Sequence, residues 1–528
     1  MGIYLNPGNE NFTETVNPAN IYVDKTMMLD VLNGFIARGN KYICVSRPRR
    51  FGKTIAQNMI AAYYSKGCDS RELFSDKEIA HVDGYEKNLN RFNVIQVDLN
   101  GEYETAEDKN NTLKGFLKFV KREFREQFTD VTFDNDDSLA QMMLKVYSQR
   151  HEQFIVLIDE YDVLVREEVS DDLYREYLAF LNGLFKNNTL KPVLALAYIT
   201  GILPVIRDRV QSKLNNFKEY TILDARELAE YVGFTSSEVR ALCDKYDVNY
   251  DECRLWYDGY RQHGFEIYNP ESVVESIMSG YFANYWGKTS TYAVILDRLN
   301  ANFDGMRDDV IRMMSGDSIP VEVGRYMNTM TDFHSKDDAF TYLIHTGYLA
   351  YNLEDGTCRI PNNEIRNEWL YAIEDDSDYK VTDQIIKASR NLLKETWAGN
   401  EDAVAKALDA SHINVTTNRS YNNEDALQCA IYLAYFDALN LYTVVREMTA
   451  GKGFADMVYI PVKKGDHPAM IIELKKNGTT ESALDQIKKK QYFDSLNHYQ
   501  GDLLFVGINY DEETKIHECQ IEKFVKGV

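Results

Sequence analysis

Apolar and polar positions along the first 200 residues follow two alternating patterns. Between Lys41 and Thr200, short apolar runs are separated by longer stretches in which apolar residues recur at helical spacing; the runs are KYICVS, NVIQVDL, FIVLID and VLALAYIT. Parallel strands require crossover connections, usually helices, so this alternation predicts a parallel sheet flanked by helices. We expect this α/β domain to occupy residues 1–226.

The pattern changes twice beyond that domain. From Glu227 to Ser420 the chain has polar helical segments with short strand-like pieces such as FEIYN and GYLAYN, which predicts a mostly helical accessory region over 227–420. After Tyr421 the order is helix, three strands, helix and strand. This order predicts a separate small α/β domain over 421–528.

Composition narrows the class of protein. The 528 residues are 44% hydrophobic and carry a formal net charge of -23, so no global positive field would attract a nucleic acid, and any such contact needs a local basic patch. No run approaches the roughly 20 apolar residues of a membrane span. The odd, scattered cysteines without a CxxC pair indicate free thiols in a reducing compartment. We therefore expect a soluble, cytoplasmic protein.

The first candidate site follows the run KYICVS, where Gly52, Lys53 and Thr54 stand at the junction of a strand and a helix. Backbone N–H groups there would cradle the phosphates of ATP, Lys53 would reach the β/γ oxygens, and Thr54 would bind Mg²⁺. Arg47 replaces the first glycine of the phosphate-loop pattern. Arg47, Arg49 and Arg50 are interpreted either as phosphate contacts or as a solvated basic turn.

Two carboxylates at the end of FIVLID complete this candidate site. Asp159 would hold Mg²⁺, and Glu160 would orient and deprotonate the attacking water. Thr200, at the end of the next strand, is either a polar sensor beside the γ-phosphate or a plain strand exit. Arg207 and Arg209 are either arginine fingers for a neighbouring subunit or part of a surface helix, and the second interpretation is preferred.

The second candidate site is the spacing D…E-x-K in the C-terminal domain. Asp456 lies on one predicted strand, and Glu473 and Lys475 lie on the next, where residues two apart face the same side. The carboxylates would bind Mg²⁺ and Lys475 would activate water, with Glu447 as a further ligand and Gln486 on the following helix. The alternative is ordinary surface charge. The nearby lysines, either a phosphate-binding surface or a solvated helix face, are Lys475, Lys476, Lys488, Lys489 and Lys490.

The sequence resembles a bacterial family that joins an AAA-ATPase-like domain to a C-terminal PD-(D/E)xK nuclease-superfamily domain. The resemblance rests on YVDKT (22–26), SRPRRFGKT (46–54), LIDEYD (157–162), TGI (200–202), LNNF (214–217), YDGY (257–260), YNP (268–270), TGYL (346–349), PNNEIR (361–366) and the C-terminal AD…IELK…QI series. It implies an N-terminal P-loop NTPase fold and a restriction-endonuclease-like C-terminal fold, and it implies that Arg47 is usual at its position. GFAD at 453–456 lacks the arginine of the usual G-R-x-D.

Two functions remain open. The first is a P-loop ATPase coupled to a Mg²⁺-dependent nuclease that acts on DNA or RNA. The second is an ATP-dependent switch whose nuclease-like domain is a non-catalytic binding module. A small-molecule phosphotransferase is disfavoured because no substrate-binding feature stands out. We expect no membrane partner, and assembly as a homo-oligomer is left open.

Overall fold

The computed structural model describes residues 2–167, 169–205, 207–208, 211–212, 214, 216–288, 292–301, 303–325, 333–376, 379–415, 424–450, 453–463, 465–489 and 501–524. These residues divide into two compact units. The first unit comprises 1–246, 259–279 and 320–358, and the second comprises 247–258, 280–319 and 359–528. Because the predicted middle region contributes to both units, the division at 226/227 and 420/421 stays a prediction.

The longer strands lie at the two ends of the chain, and those between them have two to four residues. They are β1 (Tyr42–Ser46), β2 (Asn93–Asp98), β3 (Phe154–Asp159), β4 (Leu194–Gly201), β5 (Arg207–Asp208), β6 (Gln211–Ser212), β7 (Lys218–Tyr220), β8 (Phe234–Thr235), β9 (Tyr260–Gln262), β10 (Phe265–Tyr268), β11 (Ile319–Pro320), β12 (Ala350–Asn352), β13 (Thr357–Arg359), β14 (Tyr442–Ala450), β15 (Gly453–Pro461), β16 (Ala469–Lys476), β17 (Leu503–Asp511) and β18 (Ile516–Phe524).

The helices occupy most of the remaining described chain. They are α1 (Glu10–Thr15), α2 (Met28–Arg38), α3 (Lys53–Tyr64), α4 (Arg71–Phe74), α5 (Tyr85–Asn88), α6 (Leu99–Thr105), α7 (Thr112–Gln127), α8 (Leu139–Arg150), α9 (Val163–Arg166), α10 (Asp171–Phe185), α11 (Ser236–Tyr246), α12 (Tyr250–Tyr257), α13 (Pro270–Ser279), α14 (Ala293–Leu299), α15 (Met306–Met314), α16 (Lys336–Thr346), α17 (Asn363–Asp375), α18 (Lys380–Ala398), α19 (Glu401–Val415), α20 (Glu424–Ala434) and α21 (Thr480–Lys489).

A five-stranded sheet forms the centre of the first unit. Its order is β2-β3-β4-β1-β7, and every neighbouring pair is parallel. The four apolar runs identified in the sequence form β1 to β4, which confirms the predicted parallel sheet. Strands β3 and β4 are buried along their whole length, as expected where helices cover both faces of a sheet. Side chains from α7, α8 and α10 pack into the same core.

The middle of the chain is mostly helical, as predicted, and includes α11 to α19. Its strands are short, and β8, β10 and β9 form a small antiparallel sheet within the first unit. Among the described residues, no helix is both long and apolar enough to cross a membrane. All seven cysteines lie in the described part of the chain and none forms a disulfide.

The second unit contains a mixed five-stranded sheet in the order β14-β15-β16-β17-β18. Only β16 and β17 are parallel, and α21 lies in the long connection that such a pair requires. Leu484 and Ile487 of α21 pack on the sheet against Val458, Ile471 and Phe505. The sequence pattern missed β18, because the segment IHECQIEKF has few apolar positions and most of it is partly exposed.

Candidate functional site

The loop between β1 and α3 forms one end of the candidate nucleotide site. Arg50 and Gly52 have φ angles of 69° and 86°, in the left-handed region that favours glycine. A Cβ at Gly52 would meet no atom within 4 Å, so glycine is favoured there by its backbone conformation. Gly52 is also the N-cap of α3, so the first N–H groups of the helix lie at the loop, as an anion site requires.

Lys53 and Thr54 begin α3 and have separate partners. The Lys53 side chain is 5% exposed, and its ammonium donates to the carbonyls of Arg47 and Pro48 at 3.2 and 3.1 Å. It also lies 3.5 Å from Oε1 of Glu160. The hydroxyl of Thr54 donates to Oδ2 of Asp159 at 2.6 Å.

Asp159, the last residue of β3, is surrounded by hydrogen-bond donors. Asp159 is 3% exposed, and its carboxylate accepts from the Thr54 hydroxyl, from the Thr200 hydroxyl and from the backbone N–H of Glu160. Burial raises the pKa of Asp159, while the bonds from Thr200 and Thr54 oppose that rise. Thr200 is fully buried, so its hydroxyl supports Asp159 and does not line the cavity described below.

Glu160 has an unusual backbone and two cationic partners. Its φ of 48° is uncommon for a residue with a side chain, and such conformations cluster at functional sites. Its carboxylate pairs with Lys53 at 3.5 Å and with Arg166 at 2.7 Å. Burial alone would raise the pKa of Glu160, but the charges of Lys53, Arg166 and Arg49 hold that pKa below its ordinary value.

The three loop arginines do not share one environment. The Arg47 side chain is fully buried and donates to the carbonyls of Ser46 and Tyr220, each at 2.8 Å. Burial lowers the pKa of Arg47 to about 10, so it is charged at neutral pH. The Arg47 guanidinium therefore binds backbone carbonyls of β1 and β7 inside the fold. It is not placed to make the predicted phosphate contacts. Arg49 and Arg50 line the cavity.

A cavity of about 890 Å³ in the first unit joins these groups. Gly52, Lys53, Thr54, Asp159 and Glu160 lie along its polar part, with Arg49, Arg50 and Arg166. Apolar and aromatic side chains also line it, from Ile21, Tyr22, Val23, Tyr231 and Phe234. The cavity thus combines a cationic, N–H-rich loop with an apolar wall, as a nucleotide requires.

Asp162 and Arg166 belong to this site and were not singled out from the sequence. Asp162 is 1% exposed and accepts from the backbone N–H groups of Ile202 and Leu203 at 3.1 and 2.8 Å. A Cβ at Gly201 would lie 2.5 Å from Oδ1 of Asp162, so a side chain there would displace the carboxylate. Asp162 therefore joins the motifs LIDEYD and TGI. The sequence signal that could have indicated the pair of Asp162 with Arg166 is the spacing of four residues between an acidic residue and an arginine.

Arg207 lies in the short strand β5, so the preferred interpretation of a surface helix was wrong. Arg209 lies outside the described residues.

The second candidate site lies on β15 and β16. Met457 pairs with Ile472 in the antiparallel register, and Asp456 and Glu473 are the next residues on the two strands. Oδ2 of Asp456 accepts from the backbone N–H of Leu474 at 2.7 Å. The Lys475 ammonium lies 3.1 Å from Oε1 of Glu473 and donates to Oε1 of Gln486 at 2.8 Å. The structure thus joins Glu473, Lys475 and Gln486 through side-chain contacts, and it places the Asp456 carboxylate at the backbone N–H of Leu474 between Glu473 and Lys475.

Glu447 is described only in its backbone. It follows Arg446, which pairs with Met457, and precedes Met448, which pairs with Ala455. This register puts the backbone of Glu447 beside that of Asp456, while its side chain lies outside the described part. Among the described residues, no group of three or more His, Cys, Asp or Glu side chains is arranged to hold a metal ion.

The lysines around the second site are paired with carboxylates. Lys476 pairs with Glu512 at 3.1 Å, Lys488 with Glu522 at 2.6 Å, and Lys489 with Asp485 at 3.6 Å. Lys490 lies outside the described residues. The described lysines therefore carry compensating negative charge, although exposed pairs of this kind are weak and exchange readily.

The strand order and the two clusters define a P-loop ATPase-like domain and a nuclease-like domain, and comparison with known families agrees. Residues 7–211 match the family described as Predicted AAA-ATPase, and residues 422–520 match the PD-(D/E)XK nuclease superfamily. The chain therefore carries an AAA-ATPase-like domain and a PD-(D/E)XK nuclease-superfamily domain, as the resemblance implied.

Individual relatives are distant. The chain is similar to an uncharacterized protein in the vnfD 5′ region of Azotobacter chroococcum mcd 1, with 23% identity over 515 residues, which cover 94% of this chain and 93% of that protein. The chain is also similar to two solved structures, Cdc6p from Pyrobaculum aerophilum and the ORC2 protein of Aeropyrum pernix. Each is 10% identical to this chain, and each match covers 69% of this chain and 98% of the solved chain. Their TM-scores are 0.27 and 0.28.

Proposed function

We propose that the first unit binds and hydrolyses ATP with Mg²⁺. The observation that carries this proposal is the contact of Thr54 with Asp159, joined by the pair of Lys53 with Glu160 in the same cavity. Residues about a hundred positions apart in the sequence provide a hydroxyl, a buried carboxylate, an ammonium and a second carboxylate. These are the groups that P-loop NTPases use.

The residues of the loop would bind the phosphates. Lys53 would exchange the carbonyls of Arg47 and Pro48 for phosphate oxygens, and the N–H groups after Gly52 would donate to the same anion. Arg50 and Arg49 would add positive charge at the cavity. Thr54 and Asp159 offer neighbouring oxygen atoms, a donor set that fits Mg²⁺. When bound there, Mg²⁺ would neutralise charge on the phosphates.

Glu160 is the residue that we assign to proton transfer. Its carboxylate lines the cavity and is held ionised by neighbouring cations, so it can accept a proton from an attacking water. Thr200 acts through Asp159, because its hydroxyl donates to that carboxylate. Its assigned function is therefore to orient a metal ligand, which replaces the predicted contact with the γ-phosphate.

For the second unit we propose a Mg²⁺-dependent nuclease that acts on DNA or RNA and is regulated by ATP. Asp456 and Glu473 would hold Mg²⁺, with Glu447 as a further ligand, and the ion would supply charge stabilisation at a phosphodiester. Lys475 would orient or deprotonate water, since Gln486 and Glu473 hold its ammonium beside the carboxylates.

A second candidate function for this unit is a non-catalytic binding module. The pairing of Lys476, Lys488 and Lys489 with carboxylates supports it, because these pairs reduce the positive charge available to a nucleic acid. A cytoplasmic location and assembly as a homo-oligomer stay predictions.

One set of assays tests both proposals on the purified full-length protein. ATP hydrolysis is measured with Mg²⁺ and after its removal, and cleavage is measured on mixed DNA and RNA with and without ATP. We expect hydrolysis to require Mg²⁺ and cleavage to respond to ATP. No hydrolysis under any condition would refute the ATPase proposal. ATP-dependent nucleic-acid binding without cleavage would favour the binding module.

A further inference from the structure

Arg166 bridges two carboxylates at the edge of the nucleotide cavity. Its Nη2 lies 2.7 Å from Oε2 of Glu160, and its Nε lies 3.2 Å from Oδ2 of Asp162. Its side chain is only 8% exposed, so these pairs are much less screened by solvent than surface ion pairs are. Arg166 has no function so far in the proposed ATP site.

The two carboxylates differ in how firmly they are held. Asp162 is fixed from the other side by the N–H groups of Ile202 and Leu203. Glu160, by contrast, lines the cavity, and the partners described for its carboxylate are the side chains of Lys53 and Arg166. Arg166 donates a hydrogen bond to Glu160 through Nη2, whereas its Nε has an ion pair with Asp162 and no hydrogen-bond partner among the described residues. Charge attraction to the fixed Asp162 therefore restrains the guanidinium beside Glu160.

Lys53 cannot supply this restraint during the reaction. Its ammonium is the second cation beside Glu160, but at the longer distance of 3.5 Å, and it is also the group assigned to the phosphates. When Lys53 turns toward phosphate oxygens, Arg166 keeps its hydrogen bond to Glu160 at 2.7 Å. We propose that Arg166 is a positioning residue for ATP hydrolysis, which holds the carboxylate of Glu160 in place from its anchor on Asp162.

This inference rests on the proposed ATPase activity and predicts a specific kinetic signature. Arg166→Ala should lower kcat by about 10- to 100-fold, the range expected when a reacting group is misplaced by about 1 Å. ATP affinity should change little, because Arg166 acts through Glu160. Arg166→Lys should also be impaired, since an ammonium cannot bridge both carboxylates with a fixed geometry.

The experiment measures ATP affinity and kcat for the full-length wild type, Arg166→Ala, Arg166→Lys, Glu160→Gln and the double variant Arg166→Ala/Glu160→Gln. Arg175→Ala is the matched control, because Arg175 is exposed and also pairs with a carboxylate four residues away on its helix. Retained ATP affinity shows that each variant is folded. We expect the Arg166 substitution to have no further effect on kcat in the Glu160→Gln background, and added guanidinium to restore part of the activity of Arg166→Ala.

Three outcomes separate the possibilities. If wild type does not hydrolyse ATP, the proposed function fails, and the positioning inference fails with it. If wild type is active and Arg166→Ala matches the Arg175→Ala control, only the inference about Arg166 is overturned. If Arg166→Ala lowers kcat by the same factor with Gln at position 160, Arg166 acts on the phosphates directly, and the inference is again wrong.

Discussion

The hydroxyl of Thr54 donates to the carboxylate of Asp159 across 2.6 Å, although the strands that precede them are not neighbours. Strand β4 lies between β1 and β3 in the sheet, so the start of α3 reaches past β4 to the end of β3. Parallel strands end at the same edge of a sheet, where ligands of open α/β folds bind. The contact therefore locates the metal and phosphate end of the proposed ATP site.

Lys53→Ala should abolish ATP hydrolysis and weaken ATP binding by about 10- to 100-fold. The ammonium makes charge-assisted hydrogen bonds, each of which contributes about 1.5–3 kcal/mol. Lys114→Ala is the control, since Lys114 is largely exposed and lies on α7. Titration with ATP and a phosphate-release assay provide the measurements. Normal turnover by Lys53→Ala would exclude this loop as the ATP site.

Glu160→Gln should preserve affinity for ATP and Mg²⁺ while lowering kcat by about 10²- to 10⁴-fold, the usual contribution of a general base. The amide oxygen can still accept the hydrogen bond from Arg166, while the amide NH2 group cannot accept from Lys53, so the longer Lys53 contact should be the one that is lost. Binding is measured by titration and turnover at saturating ATP. Loss of ATP affinity as large as that of Lys53→Ala would show that Glu160 has a different function.

Local sequence patterns identified the sheet and the residues at its edge because the signals are short-range. Four continuous apolar runs predicted β1 to β4, and the groups that follow them meet at one edge. Strand β18 escaped detection because an edge strand with polar side chains lacks that signal. The assignment of 320–358 to the first unit and of 280–319 to the second depends on contacts between distant segments, which periodicity does not contain.

Within the two candidate sites, the sequence indicated which residue types are present, but it did not indicate their hydrogen-bond and ion-pair partners. Lys53, Thr54, Asp159 and Glu160 follow from motif spacing, but the bridge from Arg166 to Asp162 requires knowledge of side-chain directions after a short helix. The partners of Arg47 were likewise not predictable from the sequence. A charged residue in a phosphate loop suggests a ligand, whereas in the structure its guanidinium is buried and donates to backbone carbonyls.

The second unit should lose stability as the pH falls below the ordinary histidine pKa of about 6.5. His517 on β18 is buried, and burial lowers its pKa, although Asp409 at 2.9 Å opposes the shift. The unfolded chain therefore takes up a proton at a higher pH than the folded chain, and stability falls between 6.5 and the lower folded pKa, by at most about 1.4 kcal/mol per pH unit. Hydrogen exchange of β18 measures this loss.

His517→Gln provides the matched comparison for that measurement. Glutamine does not titrate, so β18 exchange in the variant should depend less on pH between 6.5 and 5 than exchange in wild type, after correction for the intrinsic rate. Equal pH dependence in both proteins would show that His517 does not contribute. A wild type that becomes more protected as the pH falls would reverse the sign of the proposed shift.

The paired substitution Asp456→Asn and Glu473→Gln should abolish Mg²⁺-dependent cleavage while leaving ATP hydrolysis intact. Both amides have the shape of the carboxylates and can still accept from the N–H of Leu474 and the ammonium of Lys475, so the sheet should keep its structure. They remove the two negative charges that would bind Mg²⁺. ATP hydrolysis serves as the internal control, because its residues lie in the first unit.

The same variant separates the two functions proposed for the second unit. A bound ion stabilises a fold by about 2.7 kcal/mol at a concentration one hundred times its Kd, so hydrogen exchange of β15 and β16 should slow with Mg²⁺ in wild type and not in the variant. Cleavage and this protection should disappear together. If wild type shows neither cleavage nor Mg²⁺-dependent protection, yet binds nucleic acid equally well with and without the substitutions, the unit is a binding module and the nuclease proposal is wrong.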